Sequence, residues 1–281
     1  MTDSVETWSG KGRTDENFPV GSALIRPALR PHVHAFYAFA RNADDIADSP
    51  VLTAPDKLRR LALMEAVLTG KADDDASPST AALRRSLKET MVSPQHSLDL
   101  LAAFRQDATK RRYATWRELH DYCRLSAMPV GRHVLDLHGE AAATHAASDP
   151  LCAALQILNH LQDGAKDLRA LDRCYLPADA LDAAGARVTD LAAPRETPAL
   201  RRVFNRLLTE VDKLHDAAAA LPGMVRDRRL RLEVAVILGL SRRLAQRLRD
   251  GDPVAKRVKL RRLDIAGSLL GTARFVRSGP G

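Results

Sequence analysis

Apolar positions recur three and four residues apart along nearly the whole chain, in 31–48, 55–69, 80–91, 96–107, 116–140, 150–169, 198–220, 228–250 and 258–276. That spacing gathers one apolar stripe on a helix surface, so each segment is predicted to be an amphipathic helix with a buried face. Convincing strand-like alternation is absent. Turn chemistry separates the segments: "DSPVLTAP" follows the first, "TGKADDDASPS" fills 69–79, "SP" stands at 93–94, and a less regular stretch runs from about 172 to 197. Pro31 suits the first turn of its helix, and Thr115 suits the N-cap before "WREL". No fixed-period repeat appears, and no linker divides the chain. The expectation is one all-α domain, 1–281, of roughly eight to ten helices bundled around a central cavity.

Composition narrows the classes. A chain of 281 residues, 45% hydrophobic and 28% charged, is long enough and apolar enough to bury a sizeable core. No apolar run reaches the roughly 18 residues that span a bilayer. The best, "VAVILGL" at 234–240, lies between Glu233 and Arg242. The N-terminal "MTDSVETWSGKGRTDENFP" lacks the basic-then-apolar order of a signal peptide. Cys123, Cys152 and Cys174 are widely spaced with no CxxC pair, which points away from a disulfide framework or zinc site and towards the cytoplasm. A net charge of +8 favours anionic partners: nucleic acid, an acidic membrane surface or a phosphorylated small molecule. Aromatic residues, at 4%, do not interleave with the basic ones, and no nucleic-acid-binding signature occurs, so nucleic acid is not expected.

Two acidic turns carry the chemistry. "RNADDIADSP" at 41–50 places Asp44, Asp45 and Asp48 just after the apolar "AFYAFA". Far downstream, "LQILNHLQDGAKDLRALDRCYLP" at 155–177 places Asp163 and Asp167 four apart, as Asp44 and Asp48 are, with Asn159 one turn earlier. Four residues are slightly more than one helical turn, so each pair shares a face, where like charges repel by roughly a few tenths of a kcal/mol. Burial raises that cost unless a cation compensates. Either cluster alone reads as a solvated turn. Together, each beside apolar residues, they read as a hard-oxygen site for Mg²⁺. Tyr37 and Arg41 extend the first stripe by steps of three and four.

These residues resemble the squalene/phytoene synthase family. Arg41-Asn42-Ala43-Asp44-Asp45-Ile46-Ala47-Asp48 matches its first motif, and Asn159, Asp163 and Asp167 match its second. "RYATWRELHDYC" echoes its Tyr-x-Thr-aromatic stretch, and Tyr175-Leu176-Pro177 its "YLP". The resemblance covers roughly residues 17 to 270. Within the family the chain is most similar to the hopanoid-pathway branch that turns presqualene diphosphate into hydroxysqualene. "ENFPVGS", "RPHVHAFYAFARNADDIAD", "YCRLSAMPVG" and the second acidic stretch carry this finer match. Condensing relatives usually read Ala-Gly-x-Val-Gly where this chain has Ala127-Met128-Pro129-Val130-Gly131. They commonly carry Arg at the place of Gln162 and Glu at that of Lys166, so these departures point away from a two-substrate condensation.

The resemblance implies an isoprenoid (terpenoid) synthase bundle in which Asp44, Asp48, Asn159, Asp163 and Asp167 bind two or three Mg²⁺ ions. Arg41, Asn159 and Gln162 would contact the diphosphate, and Tyr37, Arg41 and Tyr122 would be catalytic. The implied substrate is presqualene diphosphate or farnesyl diphosphate, with water capturing the cation. No hydride donor is needed and no glycine-rich dinucleotide fingerprint is present, so NADPH is not expected. The alternatives are head-to-head condensation of farnesyl or geranylgeranyl diphosphate and, from another class, a non-catalytic helical assembly factor. Asp45 either tunes the first cluster or faces solvent, and Asp107 matches a family acidic position or pairs with Arg111 or Arg112. His32 and His34 form no HExxH-type arrangement. The basic "AKRVKLRRLDIAGSLLGTARFVR" reads as a last helix, or as a peripheral contact with the inner face of the membrane.

Overall fold

The structure is a computed structural model describing residues 4–6, 25–261, 264 and 267–268. Among these, every regular element is helical and no strand occurs. In chain order the α-helices are α1 (Arg30–Asp48), α2 (Ala54–Leu68), α3 (Pro78–Thr90), α4 (Gln95–Thr109), α5 (Trp116–Ser126), α6 (Met128–Leu137), α7 (His145–Leu171), α8 (Ala178–Ala184), α9 (Pro198–Ala217), α10 (Leu221–Met224) and α11 (Arg228–Asp250). They fall into two compact units. The first holds the chain up to Lys110 together with Pro129–Ala141, and the second holds Arg111–Met128 and the chain from Ala142 onward.

In the first unit, Phe36, Phe39, Ala43 and Ile46 follow the three-four-three spacing read from the sequence and form the buried stripe of α1. They share a core with Leu61 and Met64 of α2, Leu83 of α3, Leu100 and Leu101 of α4 and Leu137 of α6. Each fully buried Leu, Ile or Phe contributes about 1.5–3 kcal/mol, so this stripe, more than helix propensity, fixes α1 and its acidic end. Thr53 caps α2 by accepting from the Asp56 amide, and the expected proline, Pro31, lies in the first turn of α1. In the second unit α7 is the long member, 27 residues or about 40 Å. It packs against α5, α9 and α11. Leu200, Val203, Phe204, Leu207, Leu208 and Val211 give α9 its buried face. Thr115 accepts from the Glu118 amide as the predicted N-cap of α5.

Several boundaries differ from expectation. The single helix expected over 116–140 breaks at Ala127, because Pro129 has no N–H to donate one turn back and its ring would clash with the carbonyl there, so it sits in the first turn of a new helix instead. α7 starts five residues before 150, and Pro150 sits inside its second turn, where it removes one backbone donor. The stretch 172–197 contains α8 and a 3-10 turn at Val188–Ala192. Residues 258–261 are not helical, and the Val258 carbonyl accepts from Gln162 of α7; residues 264 and 267–268 are helical, and the rest of 262–276, like "ENFPVGS", lies outside the described residues. Among the described residues no helix is long and apolar enough to cross a membrane.

Candidate active site

The first acidic turn closes α1 in the first unit. Arg41 Nη1 lies 3.1 Å from Asp44 Oδ2, and its Nη2 lies 2.6 Å from Asp45 Oδ1. The Asp45 side chain is only 4% exposed, so the residue whose role the sequence left open is the buried counter-ion that braces Arg41. Tyr37 is half-buried one turn earlier on the same stripe. Burial, and then the Asp48 carboxylate one turn on, push the Asp44 carboxyl up to about 8; Arg41 pulls it down, while Asp107 and Asp45 add to the rise. Water reaches 35% of the Asp44 side chain, which softens the size of that rise without changing its direction.

Asp107, buried on α4, therefore contributes its charge to this turn from a second helix. Arg111 and Arg112, its suggested partners, reach the Leu171 carbonyl and the Asp172 carboxylate. A residue that sequence reasoning missed is Lys57. Buried on α2, it donates from Nζ to the Ala47 carbonyl at 2.8 Å and so steadies the turn that presents Asp48. Nothing in its surroundings in the sequence marks it.

The second acidic turn lies on α7 in the second unit, with Asn159, Asp163 and Asp167 half-buried at steps of four. Asp163 is engaged at both oxygens by Arg257: Nε lies 2.6 Å from Oδ1, and Nη2 donates to Oδ2 at 2.8 Å. The neighbouring Gln162 is 2% exposed and donates from Nε2 to the Val258 carbonyl at 2.6 Å. Lys166 is exposed. The cation at this motif thus comes from a residue 94 positions further along the chain.

Tyr122 of α5 is buried in an aromatic cluster beside this helix. Its ring centroid lies 5.4 Å from Tyr113, 5.7 Å from Tyr175 and 6.1 Å from His160. His160 stacks on Tyr175 at 3.5 Å, and the buried Arg173 donates from Nη1 to the Tyr175 hydroxyl at 3.2 Å. Burial, and then Arg173, push His160 down to about 3, so the imidazole is neutral. The result is a buried cluster of uncharged rings packed beside α7. His160 and Arg173 were not singled out by the sequence; their only signal was proximity to Asn159 and Tyr175.

The donor sets fit a hard divalent ion. Burial, and then the Asp48 carboxylate, hold the Asp44 carboxyl well above its ordinary value, which marks a site short of positive charge. The second motif offers two carboxylates and an amide oxygen on one helix, once Arg257 yields Asp163. Among the described residues no group of three or more His, Cys, Asp or Glu forms a ready-made cage. Mg²⁺ does not require one, since it commonly uses one or two carboxylates plus water and phosphate oxygens.

Comparison with known proteins places these motifs in context. The family model for squalene/phytoene synthase matches residues 11–264. The chain is 48% identical to the hydroxysqualene synthase of Rhodopseudomonas palustris over 265 residues, covering 94% of this chain and 90% of that enzyme. It is 47% identical to the hydroxysqualene synthase of Sinorhizobium fredii, covering 89% of this chain and 85% of that enzyme. The crystal structure of the squalene synthase HpnC from Alicyclobacillus acidocaldarius superposes with a TM-score of 0.74 at 32% identity, covering 85% of this chain and 90% of that one. A match running through both acidic turns, with near-half identity to two hydroxysqualene synthases, sets aside the assembly-factor alternative: the chain belongs to the squalene/phytoene synthase family and is an enzyme of prenyl diphosphate chemistry.

Proposed function

We propose that this enzyme converts presqualene diphosphate and water into hydroxysqualene and diphosphate, with Mg²⁺ as its ion. The observation that carries the reading is the near-half identity to two hydroxysqualene synthases over most of their length, with both aspartate motifs intact. Gln162 supports it. An enzyme joining two farnesyl diphosphates must neutralise two diphosphates, whereas here the position that is commonly Arg in condensing relatives holds a neutral amide occupied by the Val258 carbonyl.

Asp44 and Asp48 on α1 would hold Mg²⁺ at the first motif, and Asn159, Asp163 and Asp167 on α7 would hold it at the second. Bound Mg²⁺ would stabilise the charge that develops on the departing diphosphate. Arg41, kept in place by Asp45, offers a cationic hydrogen-bond donor to the same oxygens. Once the carbon–oxygen bond breaks, the cyclopropylcarbinyl cation rearranges to an allylic cation; water then forms the new carbon–oxygen bond and gives up a proton. Tyr122 and its neighbours present ring faces to the cation, and Tyr37 can orient water or diphosphate. Oxidation state does not change, so the reaction consumes no NADPH. The same proposal puts the enzyme in the cytoplasm with a peripheral contact to the inner membrane face, which the net charge of +8 supports.

Incubation with presqualene diphosphate and Mg²⁺, without reductant, tests the reading by mass analysis of the product. A C30 alcohol is expected; a hydrocarbon or no turnover overturns it. Efficient formation of presqualene diphosphate from farnesyl diphosphate alone would replace it with the condensing reaction.

A further inference from the structure

The segment after α11 behaves as a strap with a fixed root and an exchangeable tip. At the root, Arg201 donates to the Leu248, Arg249 and Gly251 carbonyls and pairs with Glu196. The Asp252 carboxylate accepts from the Glu196, Val254 and Ala255 amides. The chain doubles back so closely that a Cβ on Gly251 would stand 2.9 Å from the Arg247 carbonyl oxygen and 3.1 Å from Val258 Cγ2. At the tip, two side-chain bonds reach successive residues of α7: Gln162 to the Val258 carbonyl, and Arg257 to Asp163. Three carbonyls, three backbone amides and a half-buried Arg–Glu pair hold the root, whereas the tip hangs on two side chains, and a carboxylate can exchange its guanidinium for another cation.

We propose that Arg257 is a latch on Asp163, occupying as a positioning residue the oxygens a divalent ion must take, so that metal binding and release of the strap tip are one event. This rests on the reading of Asp163 as a metal ligand. Both Asp163 oxygens accept from Arg257, and two cations cannot share them without strong repulsion. The side chains are 19% and 35% exposed, so the pair is bidentate yet partly solvated. Such a pair holds back a competing ion by about 3- to 10-fold. Release also leaves a guanidinium beside the place where the metal gathers negative oxygens, which couples metal binding to anion binding. Gln162 becomes the second point of the latch.

The test titrates wild-type protein, R257Q, K256Q and K259Q with Mn²⁺ in the absence of substrate, counting free ion by electron paramagnetic resonance. The two lysine variants remove the same charge from neighbouring exposed positions. R257Q should bind Mn²⁺ about 3- to 10-fold more tightly than wild type, with K256Q and K259Q within about 2-fold. In wild-type protein, needing no variant, saturating Mg²⁺ should speed amide hydrogen exchange across 257–261 and leave the root at 252–255 unchanged. Equal affinities for R257Q and the lysine variants, or exchange that Mg²⁺ leaves unchanged, overturn the latch alone. Failure of every protein to bind the ion overturns the latch together with the metal reading.

Discussion

Replacing His133 by Phe should flatten the dependence of stability on acid. His133 of α6 is 1% exposed, its ring lies 3.8 Å from that of Phe36 at an interplanar angle of 9°, and neither ring nitrogen has a hydrogen-bond partner. Burial, followed by the nearby His96, pushes its pKa down to about 3 from an ordinary 6.5; Asp136, itself 2.7 Å from His96, pulls weakly the other way, and His32 adds to the fall. Because the folded value lies below the unfolded one, the unfolded chain holds the extra proton between about 3 and 6.5. Stability from this residue is therefore complete above pH 6.5 and drains away as the pH falls towards 3. The slope is about 1.4 kcal/mol per pH unit, so acidifying from pH 7 to 5 removes about 2 kcal/mol through this one side chain. Against a typical total of about 5–15 kcal/mol, that is readily measured. Phe keeps the stack and cannot take a proton. Urea unfolding of both proteins at pH 7, 6 and 5 should show H133F losing about 2 kcal/mol less than wild type over the interval. Parallel curves, or a His133 ring resonance titrating near 6.5, would refute the argument whatever the absolute stability of the variant.

Lys57→Met keeps the buried stem and deletes the charged donor to the Ala47 carbonyl, so it should cost about 1.5–3 kcal/mol in urea unfolding; an unchanged midpoint would mean the bond contributes nothing. Asp48→Asn removes the negative charge that raises Asp44 most after burial, so the Asp44 carboxyl, followed by carboxylate NMR in metal-free protein, should titrate lower than in wild type. The same variant should lower diphosphate release from presqualene diphosphate by about 100-fold or more, as expected when a group that stabilises transition-state charge is lost. Gly251→Ala places a methyl 2.9 Å from backbone oxygen, so hydrogen exchange over 252–261 should rise while exchange across α9 stays unchanged.

Much of the local architecture was legible in the chain because helical periodicity is a short-range property. The stripe Phe36, Phe39, Ala43, Ile46 needs only the 3.6-residue turn to be found, and the same turn puts Asp44 with Asp48 and Asp163 with Asp167 on shared faces. Caps at Thr115 and the proline at the start of α1 are equally local. Pro129 was visible too, yet the apolar rhythm continues through it, and only the backbone shows that the missing donor ended α5. Tertiary structure alone decided the rest. Asp45 looks like its neighbours in sequence, but packing buried it against Arg41. Lys57 meets the end of α1, and Arg257 meets Asp163 across 94 residues, because the fold brings those chain segments together. Residues 258–261 carry a helical rhythm but are not helical, and Gln162 of α7 holds the Val258 carbonyl. Charges and amides choose partners by distance in space, and distance in sequence does not predict it.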